Sequence, residues 1–295
     1  MSKPLLTCEV ALADAASRIG GDSPRLDAEL LLGQVTGWSR TRLRAWPEQV
    51  VSARQQVEFD HLVAQRVAGH PVAHLLGEQG FWSLPLAVND TTLIPRPDTE
   101  CLIEQVLTLP LPDNARVLDL GTGTGAIALA LASERSGWRI QACDAHPGAV
   151  ELARLNARTL GLRIDVRQSD WFSDLPATRF DLLVSNPPYI ASNDPHLQQG
   201  DVRFEPPSAL VSGQDGLDAL RLIIAAAPDW LDEGGWLAVE HGYDQSSAVC
   251  ELFTTTGFGA VRTVRDYGGR DRLTLGQWRP GQTRHPATGD LSHAQ

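Results

Sequence analysis

The first 75 residues carry apolar positions at the spacing of amphipathic helices. Thr7 can cap a helix that runs through Ile19, and Ser23-Pro24 has the form of an N-cap followed by proline at the first helical position. A third stretch, from about Ser52 to Ala68, repeats the same spacing. The pattern predicts a small helical bundle, and it brings no set of candidate catalytic residues together.

The pattern changes after residue 80. Residues 80–94 have the form of short strands around Asn89-Asp90, which predicts a β-hairpin. From Arg116 onward apolar strands alternate with helices, which predicts a parallel sheet, and residues 261–264 and 272–275 predict a closing antiparallel pair. We expect a helical domain at 1–78, a hairpin linker at 79–95, a sheet domain at 96–278 and a disordered tail at 279–295.

Composition narrows the class of protein. The chain has 295 residues, of which 42% are hydrophobic and 21% charged, as in water-soluble globular proteins. No apolar run has membrane-spanning length, so we expect a cytoplasmic protein. The formal net charge of -11 argues against a standing nucleic-acid surface, although a local basic groove stays open. The 4 cysteines are far apart and lack metal-ligand spacing, so we expect neither disulfides nor a metal site.

The stretch richest in candidate chemistry begins with an apolar run, residues 180–185, which predicts a buried strand. The run ends at Asn186-Pro187-Pro188-Tyr189. Neither proline has a backbone N–H, so the strand stops there and leaves the Asn186 oxygen and nearby carbonyls as acceptors. Such acceptors suit a planar –NH2 group, against which the Tyr189 ring can pack. The alternative is a strand that ends in a proline-rich turn without a ligand.

A second candidate site follows the first predicted strand of the sheet. Gly121, Gly123 and Gly125 form a tight loop that opens a helix, and glycine lets a ligand approach the backbone closely. Asp144 ends the next strand, where a carboxylate can accept both hydroxyls of a ribose. Trp171 follows the third strand, where its aromatic face could hold an adenine ring.

Two alternatives stay open at this loop. Gly121, Gly123 and Ala126 also satisfy the dinucleotide pattern G-x-G-x-x-G/A, so a nicotinamide enzyme is a rival. Trp171 can also be an ordinary core aromatic. The corner that begins at Asn186 has no role in hydride transfer, and it therefore favours a ligand with an amine or amide.

These residues together resemble those of the class I S-adenosylmethionine-dependent methyltransferases. The chain is most similar to the bacterial glutamine N5-methyltransferases that modify peptide-chain release factors, and the resemblance extends to about residue 278. It rests on residues 93–100, 121–125, 170–172, 186–189 and 201–206. The sequence Asn-Pro-Pro-Tyr alone is shared with adenine-N6 methyltransferases of nucleic acids, which leaves that class as an alternative.

The resemblance implies a fold, a cofactor and a partner. The fold is a Rossmann-like seven-stranded sheet, mostly parallel with one antiparallel strand, behind a small helical-bundle domain. S-adenosylmethionine would bind to Gly121, Thr122, Gly123, Thr124, Gly125, Asp144, Trp171 and Asn186. The substrate, a glutamine in a Gly-Gly-Gln loop of a release factor, would be held by Asn186, Pro187, Pro188 and Tyr189. The helical domain would help to hold the release factor, and we expect a monomer without stable nucleic-acid binding.

The expected reaction requires little acid–base catalysis by the protein. Hydrogen bonds from the substrate –NH2 to the Asn186 oxygen and the Pro187 carbonyl would hold the amide nitrogen for in-line attack. Methylation makes that nitrogen acidic, so no strong general base is expected. Glu205, Glu240 and His241 carry groups that could act as bases, and we interpret them as structural hydrogen-bonding residues.

Overall fold

The computed structural model describes residues 6–279. The chain divides into two compact units, one of residues 1–95 and 194–207 and the other of residues 96–193 and 208–295. The predicted tail, 279–295, lies outside the described residues apart from its first position. Among residues 6–279, no helix is both long and apolar enough to cross a lipid bilayer.

The first unit is built mainly from helices. They are α1 (Cys8–Ile19), α2 (Pro24–Thr36), α3 (Arg40–Ala45), α4 (Ala53–Val67) and α5 (Val72–Leu76). The Thr7 side chain accepts from the Val10 N–H at the start of α1, and Ser52 and Gln55 form a capping box at the start of α4. The sequence pattern did not predict α3 and α5, because 6 and 5 residues are too few to establish an apolar period.

A two-stranded hairpin of β1 (Glu78–Phe81) and β2 (Leu84–Ala87) follows the helices. The predicted position of its turn is wrong, since the strands turn at Trp82-Ser83 and Asn89-Asp90 lies beyond β2. Trp82 has a φ of 59°, a conformation that sequence rules assign to Gly, Asn or Asp. Asn89 instead makes a local turn in which its Oδ1 accepts from the Thr91 N–H at 3.0 Å.

Residues 194–207 belong to the first unit although they come late in the chain. Arg66 Nη1 in α4 donates to Asp201 Oδ1 at 2.8 Å. The rings of His70 and Phe204 pack together with their centroids 4.5 Å apart. Contacts between residues far apart in sequence therefore hold this segment in the unit, and the contiguous domain boundaries expected above remain a prediction.

The second unit contains a seven-stranded sheet. In chain order the strands are β3 (Arg116–Leu120), β4 (Arg139–Asp144), β5 (Asp165–Gln168), β6 (Phe180–Ser185), β7 (Leu231–Glu240), β8 (Phe258–Arg265) and β9 (Asp271–Trp278). They lie in the order β5-β4-β3-β6-β7-β9-β8, and of these described strands β9 alone runs in the opposite direction to the other six. The predicted Rossmann-like sheet, mostly parallel with one antiparallel strand, is confirmed.

Five helices of the described chain accompany this sheet. They are α6 (Glu100–Leu107), α7 (Ala126–Glu134), α8 (Pro147–Leu160), α9 (Asp218–Trp230) and α10 (Ser246–Thr256). α7 follows β3 and α8 follows β4, so the alternation of strands and helices predicted from Arg116 onward is confirmed here.

The register of the sheet places the candidate residues at one edge. Leu120, the last residue of β3, pairs with Ser185 at the end of β6 and with Cys143 near the end of β4. The loop that follows Leu120 therefore leaves the sheet beside Asp144 and Asn186. Ligands of open α/β sheets bind at this carboxyl edge.

Candidate active site

The loop that joins β3 to α7 requires glycine. Gly121, Gly123 and Gly125 have φ values of 69°, 55° and 85°, in a region that other residues rarely adopt. The two threonines between them, Thr122 and Thr124, are buried. The loop can therefore present backbone rather than side chains to a ligand.

Asp144 faces this loop from the end of β4. Its Oδ2 accepts from the Gly123 N–H and its Oδ1 accepts from the His146 N–H, both at 2.9 Å. Burial raises the pKa of the Asp144 carboxyl, and the two N–H donors partly oppose that rise. Each carboxylate oxygen keeps a lone pair for a further donor, such as a ribose hydroxyl.

Trp171 also lies against the loop. A Cβ built on Gly121 would come 3.4 Å from the Trp171 ring, so the ring contacts the loop backbone closely. Trp171 has a φ of 50°, and its carbonyl accepts from Ser169 Oγ at 2.9 Å. Trp171 is partly buried and packs against the core of this unit, so its role as a face for an adenine ring stays a prediction.

Asp119 is a further candidate site residue, which the sequence analysis did not single out. This fully buried carboxylate of β3 accepts at Oδ2 from Thr122 Oγ1 at 2.6 Å and from the Ala128 N–H at 3.2 Å. Its Oδ1 is buried without a partner among the described residues. Burial raises the pKa of Asp119 to about 7. The available signal was a carboxylate in an otherwise apolar strand directly before a glycine loop.

The corner after β6 holds a buried acceptor. Asn186 Nδ2 donates to Thr99 Oγ1 at 3.1 Å, whereas Asn186 Oδ1 is buried and has no hydrogen-bond partner within residues 6–279. Pro187 is buried and Pro188 half-buried, and neither has an N–H. A buried oxygen without a donor costs free energy, so this corner favours a ligand that brings one.

Behind Asn186 lies a buried carboxylate, Glu240, at the end of β7. Thr99 Oγ1 donates to Glu240 Oε2 at 2.7 Å, and the Tyr189 hydroxyl donates to Glu240 Oε1 at 3.1 Å. Burial raises the pKa of Glu240 to about 7 and also raises the pKa of Tyr189, which keeps the Tyr189 hydroxyl protonated. Thr99 is a second residue that sequence reasoning did not place in the site.

The other two groups considered as bases make structural hydrogen bonds. His241 is fully buried, and its Nδ1 donates to the Gly242 carbonyl at 2.8 Å while its Nε2 accepts from Thr274 Oγ1 at 2.9 Å. Burial lowers the pKa of His241, which favours the neutral ring. Glu205 lies in the first unit, where its Oε1 accepts from the Ile94 N–H at 3.3 Å.

These residues fit S-adenosylmethionine, the cofactor that the resemblance implies. Asp119 Oδ1 and Asn186 Oδ1 are two buried acceptors without partners in the described chain; Asp119 lies in β3, and Asn186 directly follows the neighbouring strand β6. A ligand with N–H groups would satisfy both. Asp144 adds acceptors for hydroxyl groups, and Trp171 adds a flat apolar face. Within residues 6–279 no group of three or more His, Cys, Asp or Glu side chains is placed to hold a metal ion.

Two family models match the chain. Residues 11–77 match the PrmC N-terminal domain, and residues 97–202 match the Methyltransferase small domain. Among solved structures, a methyltransferase from Pyrococcus furiosus superposes with a TM-score of 0.52 at 16% identity, over 72% of this chain and 96% of that one. At this identity the likeness shows the fold alone.

Named relatives are much more similar in sequence. The release factor glutamine methyltransferase of Pseudomonas aeruginosa is 56% identical over 87% of this chain and 94% of its own length. The enzyme of the same name from Escherichia coli K12 is 51% identical over 90% of this chain and 97% of its own. Identity at this level, over nearly the full length of both proteins, places the chain in a family. This chain belongs to the release factor glutamine methyltransferases.

Proposed function

We propose that this chain transfers a methyl group from S-adenosylmethionine to the side-chain amide nitrogen, N5, of the glutamine in the Gly-Gly-Gln motif of peptide-chain release factors. The names of relatives that are 56% and 51% identical support the substrate. The single structural observation that carries the proposal is Asn186 Oδ1, a buried acceptor without a partner in the described chain. The –NH2 group of a glutamine side chain is a donor that matches it.

The corner residues are proposed to hold that amide. The Asn186 oxygen and the Pro187 carbonyl accept its two N–H groups, and the Tyr189 ring packs on its plane. Pro188 restricts Pro187 to an extended conformation, which fixes the direction of the Pro187 carbonyl. The glutamine nitrogen is thereby aimed for attack before the reaction begins.

The same hydrogen bonds would lower the barrier to reaction. S-adenosylmethionine, when bound, supplies an electrophilic methyl group on a sulfonium. The amide nitrogen gains positive charge as it attacks, so its hydrogen bonds to Asn186 and Pro187 strengthen on the way to the transition state. The methylated nitrogen loses its proton readily, so none of the described residues needs to act as a strong base.

We assign cofactor binding to the loop and the two strand ends beside it. Positive φ values at three glycines open the loop backbone to close approach, Asp144 offers acceptors for the ribose, and Trp171 offers a face for the adenine. The proposed set is Gly121, Thr122, Gly123, Thr124, Gly125, Asp144, Trp171 and Asn186.

The protein substrate defines the proposed partner. A release factor would bind transiently, and the helical domain predicted at residues 1–78 would help to hold it. The formal net charge of -11 supports the absence of stable nucleic-acid binding. We propose that the enzyme works as a monomer in the cytoplasm, where release factors act on ribosomes.

Mass spectrometry of a purified release factor tests this proposal. After incubation with the enzyme and isotope-labelled S-adenosylmethionine, we expect the label on the glutamine of the Gly-Gly-Gln peptide. A release factor with alanine in place of that glutamine is the matched control and should take up no label. Label on nucleic acid alone would support an adenine-N6 methyltransferase instead, and a fluorescence change on titration with NADH would support a nicotinamide enzyme.

A further inference from the structure

The hydrogen bonds behind Asn186 form a chain. Asn186 Nδ2 donates to Thr99 Oγ1 at 3.1 Å, and Thr99 Oγ1 donates to Glu240 Oε2 at 2.7 Å. Thr99 is 3% exposed and Glu240 is 2% exposed, so bulk water does not compete for either contact. In such a buried environment, hydrogen bonds are stronger than at the protein surface.

The direction of the chain follows from what each group can donate. An ionised carboxylate can only accept hydrogen bonds. Thr99 therefore donates its single hydroxyl proton to Glu240. The Thr99 oxygen is left with lone pairs alone, and it can face only the –NH2 end of the Asn186 amide. The oxygen end of that amide therefore points away from Thr99. This oxygen is the buried atom that has no partner among the described residues.

Thr99 does not cap α6, although its position suggests that role. It immediately precedes α6 and is of a residue type that commonly caps helices, yet its side chain makes no capping hydrogen bond. Its hydroxyl contacts Glu240 instead, 141 residues further along the chain. A hydroxyl that leaves its own helix for a buried carboxylate indicates a function for that contact.

Glu240 is buried, and both of its oxygens accept hydrogen bonds from protein groups. Its Oε2 is bonded to Thr99, and its Oε1 is bonded to the Tyr189 hydroxyl at 3.1 Å. The charged groups that act on it are Arg272 in β9, which favours the ionised form, and Asp98, which opposes it. A buried carboxylate that is bonded in this way can influence the site through Thr99 and Tyr189.

We infer that Glu240 is a positioning residue that acts through Thr99 to keep the Asn186 oxygen turned toward the substrate –NH2 group. The inference rests on the proposed function, because a glutamine amide is the donor that this oxygen would receive. If the amide were reversed, the –NH2 group of Asn186 would face the –NH2 group of the substrate. No acceptor would then be left for the substrate. Gly121–Gly125 and Asp144 would be unaffected.

Three variants test the inference. Thr99→Val removes the hydroxyl and keeps the shape of the side chain, and we expect kcat on a release factor to fall roughly 10- to 100-fold. Thr99→Ser keeps the hydroxyl and should recover most of kcat. Thr254→Val, the matched control, removes a hydroxyl that contacts the Cys250 carbonyl within α10 and should keep the wild-type kcat. Calorimetry should show that all three variants still bind S-adenosylmethionine measurably, because the glycine loop and Asp144 are unchanged.

The pH profile distinguishes positioning from packing. Burial raises the pKa of Glu240 to about 7, so below that pH the carboxyl carries a proton that it can donate to Thr99. Thr99 would then donate to Asn186, and the amide would reverse. Wild-type kcat should therefore fall as the pH decreases through about 7, whereas Thr99→Val, which has no such chain, should lack this fall.

The outcomes separate the inference from the proposed function. If the wild-type enzyme methylates the glutamine and Thr99→Val matches it in kcat and pH profile, the inference is overturned and the proposed function stands. A loss of kcat that Thr99→Ser does not recover also overturns it, since packing would then explain the loss. If the wild-type enzyme leaves the glutamine unmodified, the proposed function fails first.

Discussion

Two buried oxygens determine what the site can bind. Asn186 Oδ1 and Asp119 Oδ1 have no partner within residues 6–279, so each favours a ligand with an N–H group. The sequence predicts the first of them, because the two prolines after Asn186 mark the end of a strand. It does not predict the second, and it does not predict that Thr99 contacts Glu240, because that contact depends on how distant parts of the chain pack.

The Asn186 acceptor can be tested directly. Asn186→Ala should lower kcat roughly 100-fold, because a hydrogen bond that strengthens in the transition state is lost. S-adenosylmethionine should still bind measurably by calorimetry, since the loop and Asp144 remain. Asn193→Ala, at an exposed position beyond the corner, is the control and should retain the wild-type rate. A near-normal rate in Asn186→Ala would remove the acceptor role.

The ribose assignment of Asp144 calls for a different measurement. Asp144→Ala should weaken the affinity for S-adenosylmethionine roughly 10- to 100-fold, because hydrogen bonds to a charged group are lost. Asp165→Ala, which removes an exposed carboxylate at the start of β5, should leave the dissociation constant unchanged. Equal constants for both variants would exclude Asp144 from the ribose site.

At the scale of elements, the sequence pattern predicts the long helices and strands correctly and does not predict the short elements. The alternation of strands and helices from Arg116 onward follows from the apolar spacing of the sequence. The turn between β1 and β2 was misplaced because Trp82 adopts a conformation normally left to smaller residues. Tertiary packing overrides local conformational preference at such a position. The conformation of Trp82 therefore cannot be predicted from the neighbouring sequence.

The start of α7 depends on the absence of a side chain at Gly125. Its φ is 85°, and a Cβ there would lie 3.1 Å from Leu129 Cδ1 and 3.3 Å from Ala153 Cβ. Gly125→Ala should lower the free energy of unfolding by roughly 1–3 kcal/mol more than Gly161→Ala does. Gly161 is the matched control because its φ is 66° and a Cβ there would meet nothing within 4 Å. Urea denaturation measures the free energy of unfolding of both variants. Equal decreases would show that the structure around Gly125 accommodates a Cβ without strain.

At the scale of the whole molecule, two buried carboxyls connect stability to pH. Burial raises the pKa values of Asp119 and Glu240 to about 7 in the folded protein, whereas carboxyl groups of unfolded chains titrate near pH 4. Between these values the folded state binds more protons than the unfolded state. The contribution of these two groups to the free energy of unfolding should therefore decrease as the pH rises from about 4 to about 7.

Denaturation of Glu240→Gln measures the share of this effect that belongs to one residue. The variant cannot ionise at that position, so its stability should decrease less between pH 5 and pH 8 than the stability of the wild type, by an amount on the order of 1–3 kcal/mol. Identical pH dependence would show that Glu240 titrates normally. The expected pattern is a compromise, because the ionised form that orders Asn186 is the less stable one.

The placement of residues 194–207 in the first unit has a consequence for biosynthesis. During translation, residues 1–95 leave the ribosome long before this segment exists, so Arg66 emerges without Asp201 and His70 emerges without Phe204. The nascent helices can form early, but the unit reaches its final composition only when more than two thirds of the chain has been made. A fragment cut at residue 95 would lack the same groups, and shortened versions of this enzyme should be designed to keep residues 194–207.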